Sequence, residues 1–318
     1  MRRTRTRPSR RVFFVVVAAA SALLGTTRAG AVAEPSEIAY PGNGNIYVIK
    51  ANGTGQRVLV AGGSTFKVDH WGGIAWSRDG KRIAFTVGNH RAAARFGETL
   101  QMYVAAGDGS DVRRVRGTPV GSFDPSWSPD GTQIAFATRG NDETSIAVIG
   151  LDGGGHRILA RSSNPQDFYW VPDWSPDGRW ILFEMGSYAG RPARLMAVRP
   201  DGTGLHRLAT FANGNHCICA DWSPDGRQIA YQAPGTPPRT DYPEIWVMNS
   251  DTTGRVQITR NRIRDENPDW SPNGKRIAFY SERKGNAEIY VIPADGGEAR
   301  RVTRDSWYNG APRWRPTG

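Results

Sequence analysis

The chain has 318 residues and a formal net charge of +11, from 41 lysines and arginines against 30 aspartates and glutamates. Seven of these arginines lie in residues 1–33, which contain no acidic residue, so the rest of the chain carries only +4. This mild charge, without a basic stripe interleaved with aromatic residues, argues against a nucleic-acid partner.

Residues 1–33 predict an export signal. An arginine-rich head precedes an apolar run at residues 12–24, which is too short to span a bilayer. Small residues at 31–33 suit signal peptidase, so we expect the mature chain to begin near Glu34. Residues 9–14 resemble the twin-arginine motif, and an ordinary secretory signal is the alternative. We therefore expect an exported protein of the periplasm, the cell wall or the extracellular space, without a later membrane span.

A ten-residue pattern recurs along the rest of the chain. It reads "WSPDG" followed by a short apolar run at Trp127, Trp174 and Trp222, with the variants "WSRDGKRIAF" at Trp76 and "WSPNGKRIAF" at Trp270. Proline fixes φ, aspartate bonds nearby backbone and glycine adopts a left-handed φ, which together make a tight turn. The residues after the turn are rich in isoleucine and aromatics, as strands are. Each copy therefore predicts a β-hairpin.

A second pattern of strand, glycine-rich turn and strand belongs to each unit, as at residues 46–60 and 289–302. Each unit then has four strands, and the unit repeats every 44 to 51 residues. Four short strands in such a period are typical of a β-propeller blade. We expect the motif tryptophans to fill the gaps between blades, where each indole N–H needs a partner. These tryptophans are Trp76, Trp127, Trp174, Trp222, Trp270 and Trp314.

The two ends of the repeated region complement each other. Residues 38–60 supply three strands of a blade without a tryptophan strand, and residues 311–318 supply that strand alone. We predict an all-β fold, a six-bladed β-propeller of four-stranded antiparallel blades. The C-terminal strand at Trp314 should pair with N-terminal strands that begin at Ile38, which leaves few free sheet edges.

The pattern "WSPDG..IAF" followed by "IYV...G...R.T" resembles the TolB-type, WD-like β-propeller repeat across residues 36–318. This resemblance implies a single propeller domain at residues 34–318 that acts as a protein-interaction platform in the cell envelope. TolB itself has a preceding α/β domain, which we expect this chain to lack. Similar propellers gate prolyl-oligopeptidase-type hydrolases, but the sequence contains no G-x-S-x-G elbow.

Loops alternate between the two ends of the ring. The "SPDG" and glycine-rich turns, nearly identical in every blade, share one end, which we call the uniform end. The other end, the variable end, carries connections that differ between blades and are free to bind a ligand. Aromatic and charged residues expected there, at the channel mouth, are Asp69, His70, Trp71, Phe123, Asp124, Tyr169, Trp170, His216, Arg264, Asp265, Glu266 and Tyr308. Residues expected at its rim are His90, Arg91, Arg239 and Tyr242.

Such a surface suits a peptide or a sugar. The alternative is that these side chains only fill the funnel and are solvated.

Cys217 and Cys219, the two cysteines, would meet an oxidising compartment after export. Neighbours two apart in a regular strand are too distant for a relaxed disulfide, so a local disulfide needs a bulge. Two buried thiols, or a metal site that includes His216 and His70, are the alternatives.

Three functions follow from these residues. The first is a non-catalytic protein-interaction platform, which we favour because no catalytic constellation is found. The second is a propeller enzyme, a lyase or hydrolase of polysaccharide or peptide, which would need a metal or a general base. His70, His216 and the carboxylates at the mouth are the residues that could supply either. The third is a glycan-binding or ligand-binding sensor module. We expect a monomer without a cofactor, and a protein, peptide or glycan partner.

Overall fold

The computed structural model shows that the chain folds as a β-propeller. Every regular element in the described part of the chain is a strand, and the strands form six four-stranded antiparallel sheets. Among these same residues no helix is long and apolar enough to cross a bilayer. The predicted all-β fold and blade number are confirmed. The structure describes residues 37–63, 67–69, 73–88, 99–140, 143–211, 217–237 and 242–317.

The strands follow the chain blade by blade. Blades 1 and 2 contain β1 (Glu37–Gly42), β2 (Asn45–Lys50), β3 (Arg57–Val60), then β4 (Ile74–Trp76), β5 (Arg82–Val87), β6 (Gln101–Ala106) and β7 (Arg113–Arg114). Blades 3 and 4 contain β8 (Ser122–Trp127), β9 (Gln133–Gly140), β10 (Glu143–Gly150), β11 (Arg157–Arg161), then β12 (Asp167–Trp174), β13 (Ile181–Ser187), β14 (Ala193–Val198) and β15 (His206–Phe211). Blades 5 and 6 contain β16 (Asp221–Trp222), β17 (Gln228–Pro234), β18 (Pro243–Asn249), β19 (Val256–Gln257), then β20 (Asp265–Trp270), β21 (Arg276–Ser281), β22 (Glu288–Pro293) and β23 (Arg300–Arg301), and the last strand is β24 (Arg313–Trp314).

The ring is closed by the two ends of the chain. Strand β24 pairs antiparallel with β1, with Ile38 opposite Trp314, so the C-terminal strand is the inner strand of blade 1. The carboxylate of Glu37 adds a second link, because Arg57 and Arg315 contact it at 3.0 and 2.9 Å. The predicted pairing of the last strand with the first is confirmed.

The repeated turn has the chemistry that its sequence predicts. In blade 3 the Ser128 hydroxyl donates to Asp130 Oδ1 at 2.6 Å, and Gln133 N donates back to Ser128 Oγ at 2.9 Å. The same pair of bonds recurs in blades 2, 4, 5 and 6. Five turns are thus fixed by short local hydrogen bonds, which explains why the uniform end varies so little.

The motif tryptophans pack between blades. Trp127 lies in a core cluster with Ala75 and Met102 of blade 2, and Trp314 lies with Ala278 and Ile289 of blade 6. Each such contact removes most of an indole from water and joins two sheets. The Trp127 Nε1 donates to the Ala75 carbonyl at 3.0 Å. Of the motif tryptophans, five have an indole nitrogen without a hydrogen-bond partner in the described part of the chain: Trp76, Trp174, Trp222, Trp270 and Trp314.

Close approach of two blades predicts the effect of replacing Gly109. Its φ is +90°, and a Cβ there would lie 1.8 Å from the Leu59 carbonyl oxygen of blade 1. Gly155 also has a left-handed φ, of +65°, but a Cβ there would have nothing within 4 Å. Gly155→Ala should therefore lower the free energy of unfolding by only about 1 kcal/mol, the cost of the left-handed conformation. Gly109→Ala should lower it clearly more in urea denaturation, and equal losses would contradict the close blade contact.

Candidate functional site

The inner strands bulge three residues before the motif tryptophan. Asp124, Val171 and Asn267 have left-handed φ values of 51°, 48° and 53°, and the strand register shifts beside each of them. Cys219 and Gly73 hold the equivalent positions, with φ of 43° and 74°. A bulge bends the strand and re-aims its side chains. The conformation is costly for a β-branched residue such as Val171, so the surrounding blades must enforce it.

A cavity of about 360 Å³ occupies the channel at the uniform end of the ring. All six innermost strands line it, together with prolines of the "SPDG" turns. Arg78 stands where other copies of the turn have proline, and its Nη1 donates to the Pro176 carbonyl of blade 4 at 3.3 Å. The arginine therefore reaches across the cavity opening.

The residue before each motif tryptophan lines this cavity, and three consecutive blades have aspartate there. We call Asp173, Asp221 and Asp269 the carboxylate ring. Each accepts the backbone N–H of the next blade's motif tryptophan, at 2.6 to 2.8 Å. Ser126 Oγ accepts the equivalent bond in blade 3 at 3.0 Å. The complete set in chain order is Ala75, Ser126, Asp173, Asp221, Asp269 and Arg313.

The pKa values of all three residues of the carboxylate ring are raised. Burial raises the pKa of Asp173 to about 6 and that of Asp269 to about 7. Burial also raises the pKa of Asp221 well above its usual range, and the charges of Asp269 and Asp173 add to this effect. Arg313 opposes the shift in all three, and its Nε lies 3.7 Å from Asp269 Oδ1. One cation thus faces three carboxylates, and burial favours the protonated form of each of them.

Five of the six histidines and arginines predicted at the variable end lie outside the described residues, as does one of the two predicted tryptophans. They are His70, Trp71, His216, His90, Arg91 and Arg239.

The charged residues expected at the mouth of blade 6 are engaged with one another. Asp265 is fully buried and contacts Arg283 Nη2 at 2.5 Å. Glu266 is 6% exposed and accepts from Arg264 Nε at 2.8 Å. Tyr308 is half-buried beside this pair. The two carboxylates therefore hold the inner strand in place, and the guanidinium of Arg264 is the group left partly open to solvent.

The aromatic residues expected at the mouth divide into buried and accessible groups. Phe123 and Tyr169 are 1% and 7% exposed and belong to the core of blades 3 and 4. Trp170 is half-buried and stacks on Phe168, with ring centroids 4.2 Å apart. Tyr188, which is 53% exposed, leans on the same Phe168 at 4.8 Å. We call Phe168, Trp170 and Tyr188 the aromatic shelf.

The remaining predicted residues are separate from the shelf. Asp69 is buried. Asp124 accepts the backbone N–H of Val171 at 3.3 Å, which links the bulges of blades 3 and 4. Tyr242 is 45% exposed at the start of the strand β18 region.

The cysteines form a disulfide in the segment that leads into β16, the inner strand of blade 5. Cys217 and Cys219 are bonded across one residue with their Cα atoms 5.3 Å apart, and Cys219 holds the bulge position. The intervening Ile218 donates its N–H to Glu184 Oε2 of blade 4 at 2.8 Å and accepts from Gln232 N at 2.9 Å. Burial raises the pKa of Glu184 to about 8. Within the described ranges no three histidine, cysteine, aspartate or glutamate side chains are grouped to hold a metal ion.

A family model described as "TolB beta propeller domain" matches residues 36–216 and 209–318. The chain belongs to the TolB β-propeller family. This membership covers nearly all of the chain after residue 35 and agrees with the six observed blades.

Individual proteins are similar to smaller parts of the chain. The Tol-Pal system protein TolB of Syntrophus aciditrophicus is 38% identical over 84 residues, which are 25% of this chain and 18% of that protein. The chain therefore spans about a fifth of the length of this curated relative. TolB from Acinetobacter baumannii has a similar structure, with a TM-score of 0.70 and 16% identity over 88% of this chain and 67% of that one. Oligogalacturonate lyase from Vibrio parahaemolyticus gives a TM-score of 0.54 and 14% identity over 78% of this chain and 71% of that one. At these sequence identities, the similarity of the two structures shows a shared fold alone.

Sequence reasoning missed the most polar part of this TolB-family propeller. The carboxylate ring was visible as an aspartate directly before Trp174, Trp222 and Trp270. Glu184 was visible as a lone acid in the apolar stretch "ILFEMGS" of β13. Both signals lie in the strands of the blades, whereas the residues predicted to form a site lie in or next to the loops.

Proposed function

We propose that this TolB-family propeller is an exported, non-catalytic protein that binds a protein or peptide partner at its variable end. The arginine-rich head and apolar run of residues 1–33 support export. Membership of the TolB β-propeller family supports an interaction role in the cell envelope. Fold alone does not determine the activity of a propeller, so the site must carry the proposal.

The aromatic shelf is the observation that carries the proposal. Tyr188 is the most exposed large apolar side chain among the described residues, and Phe168 and Trp170 support it from below. Aromatic side chains offer a large contact area with few rotatable bonds, so they dominate binding surfaces. A supported, half-exposed tyrosine needs little further ordering when a partner binds.

Charged groups border the shelf and can orient a partner. Arg139 Nη1 lies 3.4 Å from the Tyr188 hydroxyl. Arg191 contacts the buried Asp167 at 2.5 Å, and its side chain remains 43% exposed. A hydrophobic centre with polar groups at its edge is the usual arrangement of a protein interface.

A glycan-binding module is the second candidate. The exposed ring of Tyr188 offers a face for a sugar, and Arg139 beside it offers hydrogen-bond donors. Peptide and glycan ligands would use the same shelf, so the chemical nature of the captured ligand separates the two candidates.

The test is capture of a ligand from envelope extract by the purified mature chain, followed by measurement of Kd. Tyr188→Ala should weaken binding about ten-fold or more, as removal of a central aromatic does. Val256→Ala is the matched control, because Val256 is 52% exposed but lies on the outer strand of blade 5. The proposal fails if both variants bind as tightly as the unmodified chain. Captured material that resists protease and contains sugar would favour the glycan-binding module.

A further inference from the structure

The Cys217–Cys219 disulfide is poorly suited to stabilising the fold. A disulfide stabilises largely by restricting the unfolded chain, and this effect grows with the length of the closed loop. Here one residue separates the two cysteines, so the restriction is close to its minimum. Segment 217–220 is also held by backbone hydrogen bonds to two blades. The bond therefore calls for an explanation other than stability.

The two cysteine residues differ in their exposure to solvent. Cys217 is partly exposed and begins the described segment that leads into β16, on the variable-end side. Cys219 is 7% exposed and lies deeper, next to Ala220. Thiol–disulfide exchange requires that a thiolate reach one sulfur while the other leaves. An incoming thiolate can therefore attack Cys217, and Cys219 is the leaving sulfur.

The residue between the cysteines is fixed without help from the sulfurs. Ile218 is 2% exposed, donates to Glu184 Oε2 at 2.8 Å and accepts from Gln232 N at 2.9 Å. Neither bond involves a sulfur atom, so we expect both to persist when the disulfide is broken. The two thiols then stay close together, at a high effective concentration, and can close again.

We propose that Cys217–Cys219 is an exchange-active disulfide that oxidises a pair of cysteine thiols in a protein or peptide reaching the variable end. A thiolate of the partner attacks Cys217 Sγ, the bond between the two sulfurs breaks, and the Cys219 thiolate takes up a proton. The second partner thiol then loses its proton and attacks the mixed disulfide, which gives a partner disulfide and a reduced Cys217. The two thiols of the partner become a disulfide, and the disulfide of this chain becomes two thiols. The step therefore requires no other oxidant.

Glu184 is a positioning residue in this scheme, because it acts through the backbone of Ile218. Both Ile218 and Cys219 direct backbone N–H groups to its carboxyl. Burial raises the pKa of this carboxyl to about 8, and the neighbouring charge of Asp124 contributes. Glutamine in its place retains an oxygen that accepts from Ile218, whereas alanine does not.

The first experiment uses oxidised glutathione and the full exported chain with single-cysteine variants. Cys219→Ser leaves the accessible thiol and should form a glutathione adduct at least about ten-fold faster than Cys217→Ser, as followed by mass spectrometry. Equal rates in the two variants, or attachment only at Cys219, would overturn the assignment of the attacked sulfur. Circular dichroism confirms that both variants are folded.

The second experiment measures the exchange itself. The unmodified, folded chain should oxidise a synthetic peptide with two cysteines, and Glu184→Ala should slow reclosure of its own disulfide by about ten-fold while Glu184→Gln restores it. A disulfide that stays intact in the presence of reduced peptide until the chain unfolds would refute the proposal. The probe is a free peptide and not the captured ligand. A negative result in this experiment therefore does not affect the test of ligand binding with Tyr188→Ala.

Discussion

Replacing Asp221 by asparagine should stabilise the propeller at neutral pH and flatten the dependence of its stability on pH. Burial raises the folded-state pKa of each carboxylate-ring residue above the ordinary value of 3.8. In an unfolded chain these groups lose their protons near pH 4, whereas in the folded chain Asp173 and Asp269 hold theirs until about pH 6 to 7 and the pKa of Asp221 is also raised well above its ordinary value. Their contribution to stability is therefore complete below about pH 4 and is lost as pH rises through the folded-state pKa values.

The expected change in the free energy of unfolding follows from the rise in pKa. For Asp173 and Asp269 the rise of two to three pKa units corresponds to roughly 3 to 4 kcal/mol for a group in isolation. Asp221 keeps part of its surface open to the channel, so Asp221→Asn should raise the free energy of unfolding at neutral pH by less than this. Asparagine retains an oxygen that accepts the Trp270 N–H, so the bond between blades survives.

The measurement is urea unfolding of both proteins between pH 4.5 and pH 8.5. The free energy of unfolding of Asp221→Asn, minus that of the unmodified chain, should become more positive as pH rises. Asp225→Asn is the control, because hydrogen bonds from Ser223 and the Arg227 N–H lower the pKa of Asp225. Its contribution is complete above the ordinary pKa of 3.8 and is lost only in stronger acid, so between pH 4.5 and pH 8.5 the control difference should be negative and nearly constant. A difference for Asp221→Asn that is constant with pH would show that the carboxylate ring does not titrate in this range.

Trp314→Ala should cost about 3 to 5 kcal/mol, as expected for loss of a buried indole. Trp314 is 4% exposed and packs with Ile38, Ala278 and Ile289, at the one blade that is assembled from both chain ends. The substitution removes packing from a strand that is far in sequence from the rest of its sheet and is held there by noncovalent contacts with β1. We therefore expect the ring to open at this blade before the rest unfolds.

Hydrogen exchange with mass spectrometry separates ring opening from a simple loss of packing. Trp270→Ala is the matched control, because Trp270 is 5% exposed at the same position of blade 6, whose four strands are consecutive in the chain. Exchange in β1 should accelerate in Trp314→Ala, whereas in Trp270→Ala it should change no more than in the other blades. Equal acceleration of β1 exchange in both variants would mean that blade 1 has no special weakness.

The blades were predictable because their information is local. Each "SPDG" turn fixes its own hairpin through hydrogen bonds such as Ser128 to Asp130, and the apolar runs on either side define the strands. Closure was predictable because residues 38–60 lack the one strand that residues 311–318 supply. Neither conclusion depends on the direction of any individual side chain.

The site was less predictable because it depends on side-chain direction. A bulge shifts the alternation of inward and outward residues along a strand. The bulge at Val171 occupies a backbone region that a β-branched residue avoids, so propensity gives no hint of it. After the bulge, Asp173 faces the channel, whereas before it Tyr169 is buried in the core between blades.

The binding surface is tested most directly by hydrogen exchange of the mature chain with and without its captured ligand. Protection on binding should concentrate in the segments that carry the aromatic shelf, β12 and the end of β13, and spare the "SPDG" turns. Protection of those turns and of the channel residues around Asp221, with β12 unchanged, would place the ligand at the uniform end and contradict this account.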